Sequence, residues 1–81
     1  MSSKSDIFRI ASMSIRGESV EFYVNIKPDA FKSIVERWRR NSIKKNRKLT
    51  KESLINHINR YNHHGIFAFA TKDELSYFIE N

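Results

Sequence analysis

The sequence predicts an α+β fold: one small domain, elements in the order β-β-α-α-β-α, with a mainly antiparallel three-stranded sheet packed against helices. Three observations carry that expectation. Apolar residues alternate along two runs on either side of Arg16-Gly17, they change to helical spacing after Pro28, and an apolar run of strand length returns from Ile66 to Ala70. The chain has 81 residues, and a domain of that size buries only about 60% of the surface its unfolded chain exposes. One core is therefore the limit. Met1 to Asp6 are polar and expected to be a flexible terminus, leaving 7–81 as the domain.

From Ile7 to Ile15 the residues Ile7, Arg9, Ala11, Met13 and Ile15 alternate with Phe8, Ile10, Ser12 and Ser14, the period of a strand. Arg16-Gly17 offers a turn. Val20, Phe22, Val24 and Ile26 then share one face while Glu21, Tyr23, Asn25 and Lys27 take the other, so the two runs read as a β-hairpin with one buried face. Pro28 lacks a ladder donor but suits the first turn of a helix, and Asp29 suits the helix's positive end. Phe31, Ile34, Val35 and Trp38 follow the i, i+3, i+4, i+7 spacing of an amphipathic helix. On the same wheel Ile43 leaves the apolar face, so the helix should end between Asn41 and Lys44.

Lys44-Lys45-Asn46-Arg47-Lys48 has no periodicity and reads as an exposed loop or frayed helix end. Thr50 is a sound N-cap for a second helix whose buried face is Leu54, Ile55, Ile58 and Tyr61, with Gly65 as its stop. Ile66 to Ala70 is expected to be a buried third strand, and Thr71 with Glu74 matches a capping box that opens a last helix on Leu75, Phe78 and Ile79. The helices are expected on one side of the sheet.

Composition narrows the function classes. There are no cysteines, so neither disulfides nor thiolate metal sites support the fold, and such a chain suits a reducing, cytoplasmic setting. The N-terminus lacks the apolar stretch of a signal peptide, and no run approaches the roughly 20 apolar residues of a membrane span. Membrane partners are not expected. Abundant isoleucine, lysine and asparagine also occur in chains encoded by AT-rich DNA, such as those of phages and mobile elements.

The formal charge is +6, yet the twelve residues from Arg37 to Lys48 hold seven basic side chains and no acidic one, which leaves the remainder at −1. A charge so uneven raises the local potential toward a polyanion. The expected function is a small regulatory protein that binds nucleic acid, DNA or RNA. Arg37, Arg39, Arg40, Lys44, Lys45, Arg47 and Lys48 would contact phosphates, with Lys51 and Arg60 extending the surface. On the helical wheel Arg40, Lys44 and Arg47 lie opposite Trp38. Two other readings compete: docking on an acidic protein partner as a regulator or inhibitor, and a solvated face that only confers solubility.

The order strand, helix, helix from Val20 onward resembles that of ribbon-helix-helix regulators, which read a major groove as dimers. The long charged segment between the helices departs from that family's short turn. A helix-turn-helix reading would expose Lys51, Asn56, Asn59 and Arg60, and meets the same excess length. His57, His63 and His64 lack neighbouring carboxylates, so no metal and no other cofactor is expected, and His63 and His64 suit a helix C-terminus instead. His57, Tyr61, His64 and Arg60 could form a metal-independent ribonuclease site, but nothing in their spacing demands it, and no phosphate loop, nucleophile elbow or carboxylate pair is present. The chain is not expected to be an enzyme. Phe31, Trp38, Phe67 and Phe69 could stack on bases, but their periodicity assigns them to the core; exposed aromatics on the third strand would favour a homodimer or a protein partner.

Overall fold

In the computed structural model, which describes residues 8–80, the hairpin pairs β1 (Arg9–Ile15) with β2 (Glu18–Val24) in antiparallel register from Arg9 opposite Val24 to Ile15 opposite Glu18. Expectations for Met1 to Asp6 and for Ile7 fall outside the described residues. Arg16 (φ 54°) and Gly17 (φ 82°) both have positive φ, which is what a two-residue type I′ connection demands. Arginine carries a steric penalty there that glycine does not. β2 also pairs antiparallel with β3 (Ala68–Phe69), Tyr23 opposite Phe69 and Val24 opposite Ala68, so β2 is the central strand.

The helices begin where local chemistry directs. α1 (Pro28–Lys44) opens on Pro28 with Asp29 in its first turn. α2 (Lys51–Asn59) is capped by Thr50, whose hydroxyl accepts from the Ser53 amide at 3.1 Å. At α3 (Lys72–Glu80) the Glu74 amide donates to Thr71 Oγ1, and the Glu74 carboxylate reaches back to the Ala70 amide, both at 3.2 Å. The expected capping box is thus present, its return arm one residue earlier than the usual N-cap amide.

Phe22 and Val24 of the central strand and Leu54 and Ile58 of α2 are fully buried, and Val35 and Trp38 of α1 and Ala68 of β3 complete the same core. Large apolar side chains of β2, α1 and α2 meet there, each worth about 1.5–3 kcal/mol when removed from water. The indole N–H of Trp38 donates to Ser53 Oγ at 3.1 Å, which satisfies a buried donor and ties α1 to α2.

Three expectations need correction. β2 ends at Val24 rather than Lys27, because the Asn25 carboxamide turns to the chain at 65–67: it donates to the Gly65 carbonyl at 2.7 Å and accepts from the Phe67 amide at 2.8 Å. The third strand spans two residues instead of five. Its outer edge is closed by Asn59, which donates to the Ala68 carbonyl at 3.0 Å and accepts from the Ala68 amide at 2.8 Å. Finally, the helices cover both faces of the sheet. With Ala68 in the α1 and α2 core, alternation turns Phe67 and Phe69 to the opposite face, where their rings lie 4.9 and 5.1 Å from Phe78 of α3, and Phe8 joins at 5.7 Å from Phe69. A run apolar on both sides is what such double coverage requires.

Replacing Asn59 by Ala should destabilise the fold by about 1–3 kcal/mol, since it strands a donor and an acceptor of Ala68 away from water. Urea unfolding measures this, and a loss below about 0.5 kcal/mol, the level of an ordinary surface change, would show that the Asn59 bridge is dispensable.

Candidate nucleic-acid interface

The basic segment is built on an ordered helix end. After Lys44 the chain reverses through Asn46, whose φ of 55° lies in the left-handed region; the Asn46 amide donates to the Ile43 carbonyl at 3.1 Å and the Arg47 amide to the Ser42 carbonyl at 2.8 Å. These two bonds define a Schellman motif. The segment is exposed and leaves the helix after Lys44, as expected, but from Lys44 to Arg47 the helix end is ordered and not frayed. A signal for it stood in the sequence: asparagine two positions past the last helical residue is, after glycine, the residue that most readily takes this conformation.

That reversal distributes the seven cations. Arg40 and Lys44 are exposed on the side of α1 away from Trp38, together with Ile43, a large apolar side chain 71% exposed, and Lys48 is exposed beyond the turn. Arg39 leans toward the hairpin, its Nη2 donating to the Ser14 carbonyl at 3.4 Å, while Arg37 points the other way, its Nη1 3.4 Å from the Tyr61 hydroxyl. The helical wheel puts Arg47 opposite Trp38, but α1 ends first, and the turn at Asn46 carries Arg47 back beside Lys45 on the α2 side. Arg60, at the C-terminal end of α2, lines the same space. Lys51 does not join them. It is half-buried, donates to the Ala70 carbonyl at 3.2 Å, and lines a separate concavity with Ile15, Glu18 and Leu49. Among the described residues, the side chains of Arg40, Lys44, Lys45, Arg47, Lys48 and Arg60 take part in no hydrogen bond or ion pair.

Between α1 and α2 lies a polar cleft of about 390 Å³, with Asn41 and Lys45 on the α1 wall, Asn56, His57 and Arg60 on the α2 wall, and Arg47 at the connecting turn. Trp38 also borders it, but is only 2% exposed. His57 Nε2 is buried and has no hydrogen-bond partner. Burial, then the positive charges of Arg60 and Arg37, hold the His57 pKa below its ordinary 6.5, so the imidazole is neutral at neutral pH. Its ring meets Tyr61 edge-on at 5.9 Å.

Of the helix-turn-helix set, Asn56 faces the cleft, Asn59 is committed to Ala68, and the helices are separated by the six residues 45–50, too many for that motif. His63 and His64 are exposed on the 3-10 turn Asn62–His64, their rings 4.1 Å apart, and among the described residues no three His, Asp or Glu side chains are grouped to hold a metal. Half-buried Phe31 packs 5.8 Å from Phe22 with the Arg9 guanidinium over its ring at 5.5 Å, and Trp38 is buried, so neither ring is an open stacking platform. Asn41 carries no signal in the sequence, where it is one more polar residue on a helix surface; only the packing of α2 against α1 gives it a place. No protein-family model, curated protein or solved structure matches the chain.

Two outcomes follow for this region. Asn46→Gly should leave stability unchanged or raised, whereas Asn46→Val should lower it by about 1–2 kcal/mol, because a β-branched residue resists positive φ; equal urea midpoints for the two variants would contradict the Schellman geometry. Because the folded-state pKa of His57 is depressed, the unfolded chain takes up its proton at higher pH, and stability is lost as pH falls through and below the ordinary 6.5. His57→Gln should show a smaller loss over that range, and an identical pH profile would contradict it.

Proposed function

We propose that this chain binds nucleic acid through its phosphates, using the exposed cations at the end of α1 and in the turn that follows. The observation that carries this reading is that Arg40, Lys44, Lys45, Arg47 and Lys48 are exposed, adjacent, held at an ordered helix end, and free of acidic partners among the described residues. A cation already paired with a carboxylate gives up that partner on binding; these give up only counterions, which is the main source of affinity for a polyanion. Part of the ordering cost is met in advance, since the Schellman turn fixes the backbone that bears Arg47.

Arg37 and Arg39 flank this ridge on its two sides, and Arg60 extends it across the cleft. Lys51, turned to Ala70, contributes little. With the rest of the chain at −1, the field of the molecule is directional and orients it toward a polyanion during approach. No helix among the described residues is long and apolar enough to cross a membrane.

Binding of labelled duplex and single-stranded oligonucleotides over a salt series tests this. The logarithm of the affinity should fall linearly with the logarithm of salt concentration. Replacing Arg40, Lys44, Arg47 and Lys48 together by Ala should shrink that slope by about 0.9 for each duplex phosphate that is no longer neutralised. The variant should keep its thermal midpoint, each exposed substitution changing stability by under about 0.5 kcal/mol. Absence of binding at low salt, or an unaltered slope in a folded variant, would overturn the proposal.

A further inference from the structure

The cleft between α1 and α2 differs in chemistry from the ridge beside it. The ridge offers charge alone, which recognises phosphate irrespective of sequence. The cleft adds two carboxamides on facing helices, Asn41 and Asn56, both exposed and engaged in no hydrogen bond among the described residues. A carboxamide presents a donor pair and an acceptor together, the pattern that complements the edge of a nucleobase. His57 lines the cleft beside them, and its buried Nε2 has no hydrogen-bond partner, a state that structures seldom leave unsatisfied.

Size and charge agree. A volume of about 390 Å³ falls in the range of small-ligand sites. Lys45, Arg47 and Arg60 stand around the cleft against one carboxylate, Glu52, so its field is positive.

We infer that the cleft receives one unpaired nucleotide of a single strand, its base hydrogen-bonded between Asn41 and Asn56 and its phosphate held by Lys45, Arg47 and Arg60. This deepens the nucleic-acid reading above and rests on it. A base within a duplex has its Watson–Crick edge occupied and its backbone held outside a cleft between helices, so the molecule selects single strands, loops or ends over duplex. Because Trp38 is buried and offers no stacking face, recognition is by hydrogen bonds. The base at this position therefore matters, unlike on aromatic platforms that accept every base.

The test is fluorescence anisotropy at one salt concentration with short labelled strands of dT, dC and dA and with a duplex. It uses the wild type, the Asn41→Ala/Asn56→Ala variant and, as a ridge control, Arg40→Ala/Lys44→Ala. The wild type should bind its preferred single strand about tenfold more tightly than duplex, and the three homopolymers should differ. The double asparagine variant should bind that strand about tenfold more weakly, no longer discriminate among homopolymers, and keep its duplex affinity; the ridge control should weaken for every nucleic acid alike. The ring resonances of His57 should shift on adding the strand in the wild type, with those of His63 and His64 unmoved. Equal binding of single strands and duplex, with the asparagine variant indistinguishable from wild type, overturns this inference and leaves the ridge reading standing. Failure to bind any nucleic acid at low salt overturns both, and points to a protein partner for the ridge.

Discussion

The pair of hydrogen bonds between the Asn59 carboxamide and the backbone of Ala68 holds the helical layer in register with the sheet. A strand of two residues cannot sustain itself, and its outer edge would be open to water or to another chain. Asn59, the last residue of α2, supplies the donor and acceptor that a neighbouring strand would otherwise provide. Asn25 does the same for Gly65 and Phe67 from the end of the central strand. With α2 anchored in this way, Leu54 and Ile58 settle over Phe22 and Val24, and the α2 wall of the cleft stands a fixed distance from α1. The candidate site thus depends on a side chain that faces the sheet, away from the cleft.

The charges of α1 are arranged differently, with little bearing on packing. The C-terminal end of a helix carries about half a negative charge, which one nearby cation can satisfy. Five exposed cations from Arg40 to Lys48 greatly exceed that, and no carboxylate among the described residues pairs with them. Mutual repulsion of this kind is a standing cost to the free protein, relieved when a polyanion binds. The Schellman turn determines which of the cations act together: it leaves Arg40 and Lys44 facing outward and brings Arg47 round to Lys45 and the cleft.

Ridge and cleft suit complementary tasks in the proposed function. Charge on an exposed ridge supplies affinity and orientation, while amides in a recess supply choice among bases. His57 is suited to the second task because burial and two arginines keep it neutral, so a polar residue lines the cleft without adding charge to it.

Much of this was legible in the sequence, and the reason is range. Pro28, Thr50 and the Thr71 and Glu74 pair act on backbone groups within a few residues, so their spacing alone announces where helices start; the stop expected at Gly65 differs, since α2 ends at Asn59, before Tyr61, and Gly65 closes the separate 3-10 turn Asn62–His64. The periods of Phe22 with Val24 and of Leu54 with Ile58 identify buried faces, and the run from Arg37 to Lys48 identifies the charged region. The turn at Asn46 belongs with these local features, although surrounding lysines make it resemble a loop. What the tertiary structure alone decided joins residues far apart: Asn25 to Phe67, Lys51 to Ala70, α3 to the second face of the sheet, and Asn41 opposite Asn56 across the cleft. A polar side chain has no period and looks alike in any solvated position. Its partner is chosen when packed apolar surfaces bring distant backbone groups within hydrogen-bond reach, and that choice is made by the fit of the whole core.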